Sequence, residues 1–417
     1  MPESPSQPTH LPPRRLPGFH GPWRKTTLGE VALILSGITY NKAQVASTAT
    51  STRVLRGGNI QDSLLPRGDD VFLRSDFQLP QAVYPIQKGD ICIVASTGSR
   101  TVVGKSALAT TDLPHTYIGA FLRQLRPKTY EIAIILHGYL QSDGFRSYLR
   151  KYAKGTAILN IRNRDLSSLP LLLPPTLQEQ RALAGVLARA EAAQRAAQRA
   201  ARRAAQRHQA LYQGLLQQLL PSPSQPPPLP PRRLPGFHGP WSKTTIGEVL
   251  KLGRGTPAVD ELPLFNAVGL RTGQCRTQQR GQCVEEGDLL ILNDGEYSGK
   301  VFTAPSRGYL GSTFRKIHLT SAGVDSRFFF YYLTTLEPLL HSRRKGTAIP
   351  HLNADFFASL PLLLPPTLQE QRALAGVLAR AEGLAHAASG RYARLQQAYQ
   401  LLYQGLLQQL LPGPARP

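Results

Sequence analysis

The 417-residue chain is written twice, and this duplication limits its folds more than any other feature. PPRRLPGFHGPWRKTTLGEV at residues 12–31 returns as PPRRLPGFHGPWSKTTIGEV at residues 230–249, an offset of 218. SLPLLLPPTLQEQRALAGVLARAE at residues 168–191 returns unchanged at residues 359–382, an offset of 191. KGTAI (154–158 and 345–349) and LYQGLLQQLLP (211–221 and 402–412) keep that second offset. The halves are therefore roughly residues 4–221 and 222–412, and all that was gained or lost lies between the Trp block and KGTAI. There the halves barely align. A duplicated enzyme is expected to keep its catalytic residues in both copies. A copied frame around a divergent middle suits two modules on one scaffold that read different targets.

Each middle alternates apolar residues with turn signals, the pattern of short strands. RVLRGGNI, QAVYPIQKGDICIVAS and TYIGAFLRQLRP carry it in the first, and a helix is predicted over residues 130–154. LPLFNAVGL, EEGDLLILNDGEYSGKV and TFRKIHLT carry it in the second, with a helix over residues 326–343. Both middles read as α/β domains of about 100–150 residues.

A proline stop and a long helix follow each middle. Thr176 with Glu179, and Thr367 with Glu370, have capping-box spacing: the threonine caps and the glutamate reaches back. No proline interrupts either helix before Pro221 or Pro412, so each spans roughly 65 Å. That length calls for a partner. Heptad spacing offers one. One seam runs Leu183, Ala190, Ala197, Ala204, Leu211 and Leu374, Ala381, Ala388, Leu395, Leu402; the interleaved one runs Leu187, Gln194, Ala201, His208, Leu215 and Leu378, Ala385, Tyr392, Tyr399, Leu406. Alanines opposite tyrosines predict that the two helices pair antiparallel. Separate docking of each helix on its own domain is the other reading.

Several chemistries fail on spacing. GSRTVVGKS at residues 98–106 puts five residues between its glycines where a phosphate-binding loop needs four. A tight turn after a strand explains it and its counterpart Gly295–Lys300. Asp-x-Lys, Glu-x-Lys, Asn-Pro-Pro-Tyr, His-Glu-x-x-His and Gly-x-Ser-x-Gly are all missing from the sequence. His20 and His238, in the repeated GFHGPW, are expected to pack that turn. Three cysteines without a CxxC pair fit neither a disulfide framework nor a cysteine zinc site. MPESPSQPTHLPPRR has no signal-peptide apolar run, and no stretch approaches a membrane span, so a cytoplasmic location is expected.

Charge supplies the positive indication. The formal net charge is +23, with 49 Lys and Arg against 26 Asp and Glu, and 37 of the basic residues are Arg. A polyanionic partner is favoured. Arg150, Lys151 and Lys154 in the first half and Arg343, Arg344 and Lys345 in the second sit just before the Gly-Thr turn. They suit phosphate contacts, or a helix end whose cations complement its dipole. Arg189, Arg195, Arg199, Arg202, Arg203 and Arg207, opposed only by Glu191, read as a solvated face, a DNA-facing stripe or a dock for an acidic partner. Base-reading candidates on the divergent loops are Arg53, Arg56, Asn59, Ser99, Arg100, Asn266, Arg271, Asn293 and Glu296. The joint SPSQPPPLPPRR at residues 222–233 reads as a polyproline spacer.

The order of divergent domain, Gly-Thr turn, LPLLLPPTLQEQ and long helix, given twice, resembles the DNA-specificity (S) subunit of Type I restriction-modification systems. Trp23 with Leu28-Gly29-Glu30, Trp241 with Ile246-Gly247-Glu248, and the strands Gly89-Asp90-Ile91-Cys92-Ile93 and Gly287-Asp288-Leu289-Leu290-Ile291 match the family's motifs.

The resemblance implies an α/β chain: two target-recognition domains in tandem pseudo-symmetric repeat, each followed by a long helix. The domains would be residues 18–173 and 236–364 and the helices 174–220 and 365–411, with a Pro-rich N-terminal tail at 1–17, a Pro-rich linker at 221–235 and a C-terminal tail at 412–417. Implied partners are double-stranded DNA, two DNA methyltransferase (M) subunits and possible restriction (R) subunits. S-adenosylmethionine would serve the methyltransferase, ATP and Mg the restriction subunit, and this chain would bind no cofactor or metal and catalyse nothing. Leu183, Leu187, Leu211, Leu215, Leu374, Leu378, Tyr392, Tyr399, Leu402 and Leu406 would form the helix pair and partner dock. The rival is a non-catalytic coiled-coil scaffold that binds nucleic acid without regard to sequence.

Overall fold

A computed structural model of the chain describes residues 12–49, 52–60, 64, 70–152, 159–221, 229–346 and 349–411, with the side chains of residues 151 and 152 excepted. Two compact units emerge: residues 1–200 with 393–417, and residues 201–392. These boundaries fall inside both long helices, not at the joint of the sequence duplication.

In the first unit a four-stranded antiparallel sheet runs Ala32–Ser36, Leu122–Pro127, Ile91–Val94, Ser106–Leu108. Beside it, Arg53–Leu55 pairs parallel with Thr116–Ile118 and antiparallel with Val71–Phe72. The second unit repeats the four-stranded order with Leu250–Gly253, Phe314–Leu319, Leu289–Leu292, Val301–Thr303. It also repeats the parallel pair, as Leu262–Phe265 with Gly308–Leu310, within a five-stranded sheet. The middles that barely align in sequence thus share one strand order and differ at the second sheet.

The Gly-Asp motif has a structural purpose. Gly89 and Gly287 take positive φ, +92° and +86°, which a side chain disfavours. The buried Asp90 that follows accepts from Gln87 N (2.7 Å), Gln124 Nε2 (2.7 Å) and Arg126 (2.8 and 2.9 Å). Asp288 pairs with Lys316 and accepts from Glu285 N at 2.7 Å.

The repeated frame closes each unit. Arg24–Thr27 pairs antiparallel with Pro170–Leu173, and Ser242–Thr245 with Pro361–Leu364. The helix predicted over residues 130–154 is two helices, Tyr130–Gln141 and Asp143–Tyr152. Ser142 breaks it: its backbone is extended, its N–H and hydroxyl donate to Tyr139 O, and its Oγ accepts from Phe145 N. In the second unit the corresponding helix is continuous, Ser326–Ser342.

The long helices are Leu177–Leu219 and Leu368–Leu410. Thr176 and Thr367 do cap them, accepting from Glu179 N and Glu370 N at 3.2 Å. The glutamates do not reach back, however. Glu179 is buried and accepts from Arg15 (2.7 and 2.9 Å) and Trp23 Nε1 (3.1 Å); Glu370 accepts from Arg233 at 2.7 Å on each oxygen. Arg15 and Arg233 also donate to the carbonyls of His20 and Gly21, and of His238 and Gly239. The repeated PPRRLPGFHGPW is therefore a loop folded around one arginine, which ties it to a helix start.

The helices pair start against end in each unit. In the first, Leu183, Ala184 and Leu187 share a core with Tyr403, Leu407, Leu410 and Leu411; in the second, Leu374, Ala375, Leu378, Ala381 and Ala385 share one with Tyr212, Leu216, Leu219 and Leu220. The heptad phase holds only at the starts. Leu211 and Leu402 are 52% and 69% exposed and Tyr392 and Tyr399 are half-buried, while Leu215 and Leu406, also half-buried, still pack against the two cores. The buried stripe lies one residue later, at Tyr212 and Tyr403. A straight helix drifts about 20° per heptad against a strict seven-residue repeat. Four heptads from Leu183 to Leu211 accumulate about 80°, close to the ~100° of one residue. The stripe follows the straight helix: Leu187 to Ala205, and Ala385 to Tyr403, are both buried pairs eighteen residues, or five turns, apart.

Candidate nucleic-acid interface

The strand Ile91–Val94 ends at Ala95, whose N–H and that of Ser96 both donate to Phe121 O at 3.0 Å. Ser96 and Thr97 then pair with Asn160 and Leu159, and the loop through Ser99 and Arg100 closes where Val102 N and Val103 N donate to Ser99 O (3.2 and 3.1 Å). Ser99 is half-buried and Arg100 exposed. Leu55 O accepts from Gly119 N at 2.8 Å, so the turn before Phe121 adjoins the loop that carries the exposed Arg56. Arg123 donates to Asn163 Oδ1 (2.6 Å), Ala120 O and Leu122 O, and burial lowers its pKa.

The second unit builds the same corner from other residues. Asn293 N and Asp294 N donate to Thr313 O, at 2.8 and 3.3 Å, as Ala95 and Ser96 do to Phe121. His351 bridges Asp294, in the place where Asn160 pairs Ser96. Gly295 N donates to Pro350 O at 2.8 Å, and Arg344 donates to Glu296 O. The guanidinium of Arg271 lies 5.5 Å from the ring centre of Tyr297. Lys345 pairs through its backbone with His351, and its Nζ is 3.6 Å from Asp355. Arg271, Asn293, Glu296, Arg344 and Lys345 thus meet at one corner.

Three expected base readers are occupied inside the fold. Buried Arg53 donates to Asp70 Oδ2 at 2.7 Å and to Leu64 O at 2.8 Å. Buried Asn59 donates to Asp70 Oδ1 (2.8 Å) and accepts from Arg56 N (2.7 Å). Asn266 caps Ala267–Thr272, accepting from Gly269 N at 2.8 Å. A buried polar group already paired gains little from a new partner.

Of the basic clusters, Arg150 is exposed and bonds Ser147 Oγ at 2.7 Å, while Arg343 lies 6.0 Å from the Phe356 ring. The Lys151 side chain and Lys154 lie outside the described residues. Phe121, Tyr297, Asp294 and His351 were not anticipated: Phe121 sits in the strand-like run TYIGAFLRQLRP and Tyr297 in the glycine turn Gly295–Lys300, and only the fold shows them at a corner.

These corners offer arginine forks, amide and carboxylate acceptors and apolar tips, the groups that contact base edges. Gly104 and Gly299, at positive φ, pack toward Leu149 and Leu340, so the glycine turns sit against helices rather than cradle a phosphate. Among the described residues no three His, Cys, Asp or Glu side chains are grouped to hold a metal ion, and no helix is long and apolar enough to cross a membrane.

The chain is similar to known proteins in part of its sequence and in its fold. Residues 272–386 match the model of the Type I restriction modification DNA specificity domain. The chain is similar to the Type I restriction enzyme MjaVIII specificity subunit of Methanocaldococcus jannaschii, 33% identical over 34% of this chain and 36% of that protein. It is also similar to the EcoKI specificity subunit of Escherichia coli K12, 28% identical over 39% of this chain and 34% of that one. The matched parts span about a third of these relatives' lengths. Two solved structures share the fold along most of the chain. One is the Type I S subunit from M. genitalium (TM-score 0.53, 16% identity, 96% of this chain and 99% of that one). The other comes from a study of complex assembly and conformational transition of the type I R-M system (TM-score 0.58, 20% identity, 94% and 98%). The resemblance read from the repeats is borne out, as is the fold of two tandem α/β domains with long helices.

Proposed function

We propose, taking the Type I DNA specificity domain of residues 272–386 as the premise, that this chain selects the DNA sequence for a Type I restriction-modification complex. Each unit reads one half of a bipartite target through its corner loops. The paired helices set the gap between half-sites and dock two methyltransferase subunits in the cytoplasm. Adenine methylation with S-adenosylmethionine, and ATP-driven restriction where present, belong to those partners, and this chain positions them.

One observation carries the reading: a single backbone corner built twice with different residues, exposed or half-buried. Phe121, Ser96 and Asn160 in one unit stand where Thr313, Asp294 and His351 stand in the other. Two such corners are suited to different half-sites, so the target is asymmetric. Methylome sequencing of a host with and without the gene tests this. The expected result is loss of N6-methyladenine from one asymmetric, gapped motif. No motif lost, with an active methyltransferase present, refutes the proposal in favour of a scaffold.

A further inference from the structure

We propose that Phe121 reads the 5-methyl group of a thymine in the half-site of the first unit. This rests on the DNA-specificity reading above and adds to it a residue and the base feature it detects.

Phe121 is 66% exposed, the highest value among the described large apolar side chains of residues 18–173. It is not on a slack loop. Gly119 N donates to Leu55 O (2.8 Å), Ala120 N to Ile38 O (2.9 Å) and Leu122 N to Gly119 O (2.9 Å), while Phe121 O accepts from Ala95 N and Ser96 N. These bonds hold the turn on both sides of the tip, so the ring projects from a fixed backbone. Gly37 leaves no room for a side chain against the Gly119 carbonyl, which locks the turn from below.

A large apolar side chain held rigidly in water contributes nothing to its own unit. Its surroundings indicate what it meets. Asn160 is paired to Ser96, Arg123 underlies the tip, and the exposed Arg100 and Arg56 occupy the adjoining loops, so the ring is set among cations and amides. That environment suits a polyanion with polar edges, not an apolar protein face. On such a partner the major groove offers one exposed apolar feature, the thymine methyl, and an apolar side chain there discriminates where a polar one does not.

The other copy supports the assignment. Thr313 holds the same carbonyl position, with its oxygen accepting from Asn293 N and Asp294 N. The backbone of this corner is kept and the side chain at its tip is exchanged, as expected of a position that sets sequence preference.

The test uses the full chain and a duplex library with two randomised half-sites at variable separation. Selection and sequencing give the preferred motif; each thymine in it is then replaced singly by deoxyuridine, which removes only the methyl. The expected result is one thymine whose replacement weakens wild-type binding roughly fourfold, the worth of one buried methyl. Phe121→Ala should bind T and dU equally there, and Phe121→Leu should keep part of the difference. Phe121→Ala with the wild-type motif and the full dU penalty overturns the inference. A wild-type chain that selects no motif overturns the DNA-specificity reading and this inference with it. Because the ring is exposed, unfolding midpoints of the variants should match wild type, separating loss of reading from loss of fold.

Discussion

The phase of the helix pair can be tested by truncating leucines five residues apart in the same repeat. Leu407 is fully buried in the core of the first unit and Leu216 nearly so in the second, whereas Leu402 and Leu211 project outward. Leu→Ala in a packed core costs about 2–5 kcal/mol, counting lost transfer energy and the cavity left behind. An exposed leucine is worth within about 0.5 kcal/mol. Urea unfolding of the full chain, with hydrogen exchange of the helix amides as a local probe, distinguishes them. With a slope of about 3 kcal/mol/M, Leu407→Ala and Leu216→Ala should lower the midpoint of their own units by about 1 M, and Leu402→Ala and Leu211→Ala by no more than about 0.2 M. If the outward pair cost as much as the inward pair, the seven-residue seam would be the true one and the straight-helix drift would be wrong.

Arg15→Ala leaves the Glu179 carboxylate buried with its cation gone, so the first unit should lose about 3 kcal/mol, and Arg233→Ala should do the same to the second through Glu370; calorimetry of both variants checks this. Leu211→Asp and Leu402→Asp, at exposed positions, should leave the fold intact but weaken co-purification of the methyltransferase, and unchanged recovery would move the dock elsewhere. Burial lowers the pKa of His137 from 6.5, with Arg195 acting in the same direction and Glu191, 3.7 Å away, opposing. The unfolded chain therefore takes up a proton near pH 6.5 that the fold refuses, so stability is full above that pH and falls below it. Between pH 7.5 and 5.5 the urea midpoint should drop more in wild type than in His137→Gln.

The frame was legible in the sequence because it rests on short-range rules. Duplicated blocks, proline stops, the threonine caps and the length of the long helices all follow from local pattern, and the folded chain repeats them. What escaped depends on distant partners. Glu179 has the spacing of a capping-box residue, yet an arginine 164 positions away claims both its oxygens. Arg53 and Asn59 read as loop residues, and only Asp70, brought beside them, shows that they are internal. Leu211 and Leu402 were misplaced for a geometric reason, since an error of 20° per heptad is invisible locally and decisive after four. Phe121 was hidden in an apolar run that reads as strand. Burial of such a run is the safer expectation, and only the turn at Gly119 reverses it.

The segment at Arg14 donates its N–H to Gln409 O at 2.8 Å, and the segment at Arg232 donates its N–H to Gln218 O at 2.9 Å. These are the same contact in the two repeats. A circular permutant joining residue 411 to residue 12 through a copy of the proline-rich bridge, and opened within residues 222–228, should keep every strand pairing and both helix seams. It would only exchange which repeat is read first along the gene.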